Sequence, residues 1–176
     1  MKKLVIGFLF LGLTSLTHSQ VENGTPNITL EAVTIKPLNL SYLKNVQDKN
    51  TPEVAVALEN EAARYDITED PIFDREFEAY EVVFKAKTEG GSTGLITATY
   101  DSEGKILKSV EKYKNILLPK TVREAIWEKY PNWVIHKDVY LVSYKNNKDA
   151  RKLFRVQIRK DGNKKNLKLG YNGNIY

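Results

Sequence analysis

Residues 80–130 narrow the choice of architecture more than any other stretch. Tyr80, Val82, Phe84 and Ala86 alternate with Glu81, Lys85 and Lys87. After Gly90-Gly91-Ser92 the alternation resumes, with Ile96, Ala98 and Tyr100 set against Leu95, Thr97 and Thr99. A period of two marks strands with one buried and one wet face. Parallel pairing needs a crossover of a dozen or more residues, so strands linked this tightly are antiparallel neighbours. Asp101-Ser102-Glu103-Gly104 forms the next turn, with glycine where a positive φ is wanted. A third strand follows over 106–114, with Ile106, Val110 and Tyr113 as its apolar markers.

A helix comes next. Leu118-Pro119 opens it and Tyr130-Pro131 closes it, because the residue before proline is pushed out of helical geometry. Leu118, Val122, Ile126 and Tyr130 recur every four residues, the stripe of a helix lying on a sheet. Beyond it the alternating pattern returns. Residues 139–144 read as a strand, Phe154, Val156 and Ile158 alternate with Arg155, Gln157 and Arg159, and Leu167 and Leu169 precede the closing Asn172-Gly173 turn.

Upstream, Thr51-Pro52-Glu53 is a helix start with Thr as N-cap. Val54, Leu58, Ala62 and Tyr65 form the stripe of that helix. Residues 66–76 are acidic and irregular, with Phe73 and Phe77 as anchors, and 28–35 (ITLEAVTI) is a candidate strand packed by Tyr42, Leu43 and Val46.

The two halves resemble each other. Ala63-Arg64-Tyr65 matches Glu128-Lys129-Tyr130, and the segments starting at Tyr80 and Ala98 match those starting at Phe154 and Leu169. The expected fold is α+β: one antiparallel sheet from two degenerate helix-plus-meander repeats, both helices on one face. The repeats span 51–115 and 116–176, after an N-terminal extension over 20–50.

The first 19 residues read as a signal peptide. Lys2 and Lys3 precede a ten-residue apolar run (LVIGFLFLGL), and Thr17-His18-Ser19 sets small residues at the cleavage positions. Ten residues cannot span a bilayer about 30 Å thick. The expected product is a periplasmic or secreted chain starting at Gln20, with no membrane span. The sequence has no cysteine. It therefore forms no disulfide and lacks the residue a lipoprotein acylates, so its stability must come from a buried core.

Charge is divided unevenly. Residues 20–99 hold 7 basic and 14 acidic residues, whereas 100–176 hold 18 basic and 8 acidic. Such asymmetry can mark an anionic partner. Here the lysines are scattered singly, which reads as a solvated basic sheet face rather than a nucleic-acid site. The Asn27 and Asn39 sequons match too short a pattern to carry weight.

The resemblance carried by Thr99-Tyr100-Asp101, Gly104-Lys105, Leu118-Pro119, Val122, Ala125-Ile126, Tyr130-Pro131 and Gly173 is to the exported PepSY-like proteins of Bacteroidota. These share a β-lactamase-inhibitor-protein-like fold. The resemblance covers 80–176 well and 28–77 poorly. It implies binding or inhibition of a partner protein by fold analogy, and it brings no catalytic residues with it.

No reaction is legible in the residues. There is no thiol nucleophile, Gly-x-Ser-x-Gly elbow or phosphate-cradling glycine loop, and the one histidine past the leader, His136, has no second histidine to join it. The acidic run of Glu69, Asp70, Asp74, Glu76 and Glu78 lacks the spacing and turn glycine of a Ca²⁺ loop. The expectation is a non-enzymatic binding module without cofactor or metal, recognising a protein or peptide through its sheet face or an edge strand. A small-ligand or envelope-glycan binder is the alternative. Trp127, Trp133, Tyr113, Tyr140, Tyr144 and Lys137 are the candidate binding residues, because exposed aromatics beside cations make good recognition surfaces.

Overall fold

A computed structural model describes residues 39–176. The signal peptide and the candidate strand over 28–35 lie outside the described residues. Two helices open the described chain, α1 (Leu40–Val46) and α2 (Glu53–Arg64). Strands β1 (Ala79–Lys87), β2 (Thr93–Asp101) and β3 (Ile106–Lys114) follow. Helix α3 (Lys120–Lys129) then precedes β4 (Val134–Lys145), β5 (Lys148–Lys160) and β6 (Asn163–Leu169). The six strands form one open antiparallel sheet in sequence order, an α+β arrangement.

Alternation decides the layers. One row runs across all six strands through Ala86, Gly94, Tyr113, Tyr140, Phe154 and Leu169, in direct register. The rings in this row stack, with centroids 5.8 Å apart for Tyr113–Tyr140 and 4.6 Å apart for Tyr140–Phe154. The same face carries Phe84, Ile96, Val142, Val156 and Ile158, all buried in one core with Leu58 of α2 and Val122 and Ile126 of α3. Gly94 has no side chain because Leu58 and the Tyr113 ring fill that space. Tyr100 donates its hydroxyl to the Ala62 carbonyl at 2.7 Å and fastens the end of α2 to β2.

The structure revises several local expectations. Residues 40–46, for which the sequence reading named packing residues but no element, form a helix with Tyr42 and Val46 buried. Asn39, just before α1, is buried, with its amide group donating to the Gly104 carbonyl (3.0 Å) and accepting from the Ile106 N–H (2.7 Å). It pins α1 to the β2–β3 turn, and an amide used in this way has no room for a glycan. Pro52, not Thr51, is the N-cap of α2, and the Thr51 hydroxyl instead accepts from the Asp48 N–H. Phe73 packs on the core as expected, but Phe77 stays exposed beside the Tyr80 ring. In β3 the apolar marker Val110 faces solvent, while Glu111 is buried. A bulge opposite Thr99 and Tyr100 lets both Ile106 and Tyr113 face inward despite their odd spacing.

Gly173 joins the C-terminal turn to α3. Its φ is +84°, and a Cβ there would lie 2.8 Å from the Thr121 carbonyl oxygen. Gly162 has a similar φ of +77° but open space around it. Gly173→Ala should therefore cost roughly 2–3 kcal/mol, combining backbone strain with overpacking. Gly162→Ala should cost only about 1 kcal/mol, for strain alone. Urea denaturation of both variants checks this, and equal losses would refute the close-approach argument.

Candidate functional site

The six candidate binding residues do not gather on one surface. Tyr113, Tyr140 and Tyr144 sit on the inward face of the sheet and are core residues. The outward residues of β4 include Lys137, Val139, Leu141, Ser143 and Lys145, so the solvent side of this strand is its non-aromatic one. Trp127 is 53% exposed on α3. Trp133 is half-buried just past α3, edge-on to Tyr130, with the Lys165 ammonium 5.2 Å from its ring centroid. Lys137 is exposed on the opposite side of the sheet from the tyrosines. His136 occupies a β4 bulge at the surface, where desolvation and the Arg159 and Lys137 charges push its imidazole below the ordinary range. A concavity of about 610 Å³ between the α1–α2 loop and the C-terminal tail is lined by Tyr171 and Tyr176 rather than by either tryptophan.

The inward face holds a cluster of polar groups. Glu111 on β3 and Glu59 on α2 are both fully buried. The Glu111 carboxylate accepts three hydroxyls, from Tyr42 of α1 (2.7 Å), Ser109 (2.6 Å) and Tyr113 (2.7 Å). Three donors satisfy a charged carboxylate well. Neither carboxyl oxygen of Glu59 has a hydrogen-bond partner. Burial, and then the Glu111 charge, push the Glu59 carboxyl up to about 9, so it stays protonated at neutral pH. Burial and the Glu111 charge likewise drive the Tyr42 and Tyr113 hydroxyls far above the usual range.

The rim of this cluster is an ion pair. Lys152 of β5 donates to Asp48 at 2.5 Å, and its side chain is almost buried. Burial pushes the Asp48 carboxyl up, but the hydrogen bonds from Lys152 and the Asn50 N–H, together with the Lys152 and Lys49 charges, outweigh it and the net displacement is downward. Chemically the cluster can hold a proton in the core. With both carboxyls at zero exposure, it offers no surface on which substrate could reach them.

Both glutamates escaped the sequence reading. Glu59 is four residues from Ala55 and four from Ala63, both buried, so a stripe of small residues flanked it. Glu111 lies between Ser109 and Tyr113 in strand parity. Parity with Tyr113 was the available signal, and the apolar character of Val110 masked it.

The outward face is of opposite character. One cross-strand row holds Lys87, Lys114, Arg155 and Lys168, and the next holds Lys85 and Lys112. Lys108, Lys145 and Arg151 flank one side of these rows, and Lys137, Arg159 and Lys164 extend the other along β4–β6. All twelve are exposed. Glu81 is the acid within this face, with Asp101 and Asp149 at its rim. Among the described residues none of the twelve cations has a carboxylate within 4.0 Å, since the ion pairs there are Lys120–Glu124 and Lys152–Asp48.

Four pairs oppose like charges directly: Lys108 with Lys145, Lys145 with Lys148, Arg155 with Lys168, and Arg159 with Lys164. Such pairs destabilise a sheet. Between the cations lie Val83, Leu95 and Val110, which are 50%, 37% and 62% exposed. A trough of about 510 Å³ crosses β4–β6, lined by Lys137, Val139, Arg155, Gln157, Asn166 and Lys168 among others. No described helix covers this face, and none is long and apolar enough to cross a membrane.

No protein-family model matches the chain, and no curated protein matches it. A solved structure of a DUF2874 family protein from Bacteroides ovatus is distantly similar, with 14% identity and a TM-score of 0.33. That likeness covers 53% of this chain and 71% of the other.

The carboxyl pair makes a pH prediction. Glu59 has an ordinary value of 4.5 when unfolded and about 9 when folded. Below pH 4.5 Glu59 is protonated in both states, and its titration takes nothing from stability. As pH rises from 4.5 toward 9 the unfolded chain releases a proton that the folded chain keeps, so stability falls throughout that window. The loss at pH 7 is roughly 3 kcal/mol. Glu59→Gln should match the wild type near pH 4 and exceed it by roughly 2–3 kcal/mol at pH 7. Parallel urea-denaturation profiles from pH 4 to 9 would overturn the assignment.

Proposed function

We propose that this chain is an exported, non-enzymatic, PepSY-like binding module that recognises a protein or peptide through the open face of its sheet. The observation that carries this reading is a sheet face that no described element covers. Among the described residues three helices pack on one side of six strands, and the other side exposes valine and leucine among cations with no carboxylate within 4.0 Å. A patch with an apolar centre and a charged rim has the anatomy of a protein interface. The buried state of the two glutamates and the isolation of His136 at the surface support binding over turnover. On this reading α2 with β1–β3 and α3 with β4–β6 are two copies of one unit, fused edge to edge to widen the face.

The reading is tested by placing a photo-crosslinking residue at Val110, on the open face, or at Glu61, on the helical side, and irradiating the host. Val110 should yield a discrete adduct with one polypeptide, and Glu61 should not. Adducts from Glu61 alone, or from neither position, would refute recognition through the sheet face.

A further inference from the structure

We infer that the occupant of the open face is an acidic polypeptide segment, its carboxylates meeting the cationic rows and its apolar side chains reaching the floor between them. The inference rests on the face being a recognition surface and names the chemistry of what it recognises. The first argument is electrostatic. Twelve exposed cations share one face with a single internal acid, and four cross-strand pairs there are like-charged. Folding alone gains nothing from that arrangement, since each opposed pair repels. An anionic occupant removes the repulsion on binding, and clefts or faces of one sign raise the encounter rate with the opposite sign.

The second argument selects a polypeptide over other polyanions. The floor residues Val83, Leu95 and Val110 are exposed but shorter than the lysines and arginines around them. A flat membrane surface would meet the ammonium tips first, whereas a peptide side chain can descend between them. Stacking of single-stranded nucleic acid needs aromatic platforms. Every aromatic residue of the six strands lies on the inward face. The face therefore offers charge and aliphatic contact but no base-stacking surface. The trough across β4–β6, with Lys137, Arg155 and Lys168 around Val139, gives a carboxylate-bearing segment a place to settle.

The test uses fluorescence anisotropy of labelled poly-L-glutamate with the purified protein. Binding should weaken steeply as salt rises. The double variant Arg155→Glu with Lys168→Glu should bind at least tenfold more weakly. A control of equal charge change on α3, Lys120→Glu with Lys129→Glu, should change affinity less than twofold. A random glutamate–tyrosine copolymer should bind more tightly than poly-L-glutamate at matched charge, and Val110→Ser should reduce that advantage. Equal losses in the two double variants would show that net charge alone attracts the polymer and would overturn the inference. So would tighter binding of dextran sulfate or phosphatidylglycerol vesicles, which would make the occupant a sulfated glycan or a membrane. Poly-L-glutamate in excess should also suppress the Val110 crosslink. A crosslink that persists at saturating polymer would leave the recognition face standing and remove its acidic partner. Loss of both crosslink and polymer binding would remove both.

Discussion

The row of Tyr113, Tyr140 and Phe154 is the constraint on which the rest of the molecule depends. Three stacked rings in adjacent strands need the cover of helices, and Leu58 closes over Tyr113 through the gap left by Gly94. Strand geometry then leaves no freedom to the neighbours, because side chains alternate strictly between faces. Turning Tyr113 inward turns Glu111 and Ser109 inward with it and turns Val110, Lys112 and Lys114 outward. The buried carboxyl cluster and the cationic face are thus two sides of one decision. Register shifts of one residue would reverse both.

The carboxyl cluster shows how the fold tolerates polar groups in its core. Glu111 is satisfied by three hydroxyls drawn from α1 and β3. Glu59 is tolerated because burial beside that charge keeps it neutral. The arrangement costs stability at neutral pH, yet it links α1, α2 and β3 through groups with strict geometric demands. A core of hydrocarbon alone would pack these helices without fixing their position so narrowly.

Across the sheet the same economy is absent. The open face carries repulsive pairs and exposed aliphatics that the described fold does nothing to relieve. Sheets protect exposed edges with lysine, and some of these cations serve that purpose. Central strands have no edge to protect. Lys112 on β3 and Arg155 on β5 sit in the interior of the sheet, so edge protection does not account for them.

Much of the architecture was legible in residue order. Alternation in 80–100 and 154–169, turn glycines such as Gly104, and the four-residue stripe from Leu118 to Ile126 are local signals, and short links make neighbouring strands antiparallel. The nature of the candidate surface was not legible. Twelve lysines and arginines scattered over eighty-odd positions look like ordinary solvation until pairing brings them side by side, because cross-strand neighbours are distant in sequence. The same reason hid Glu59 and Glu111: each sits beside a better apolar candidate in its own segment, Leu58 and Val110. Local periodicity settled the two longer helices and the strand neighbours within each meander, but not the helix at 40–46 or the β3–β4 pairing that joins the meanders. Only the packing of helices on one face decided which parity of β3 is buried, and with it which charges are caged in the core and which face solvent.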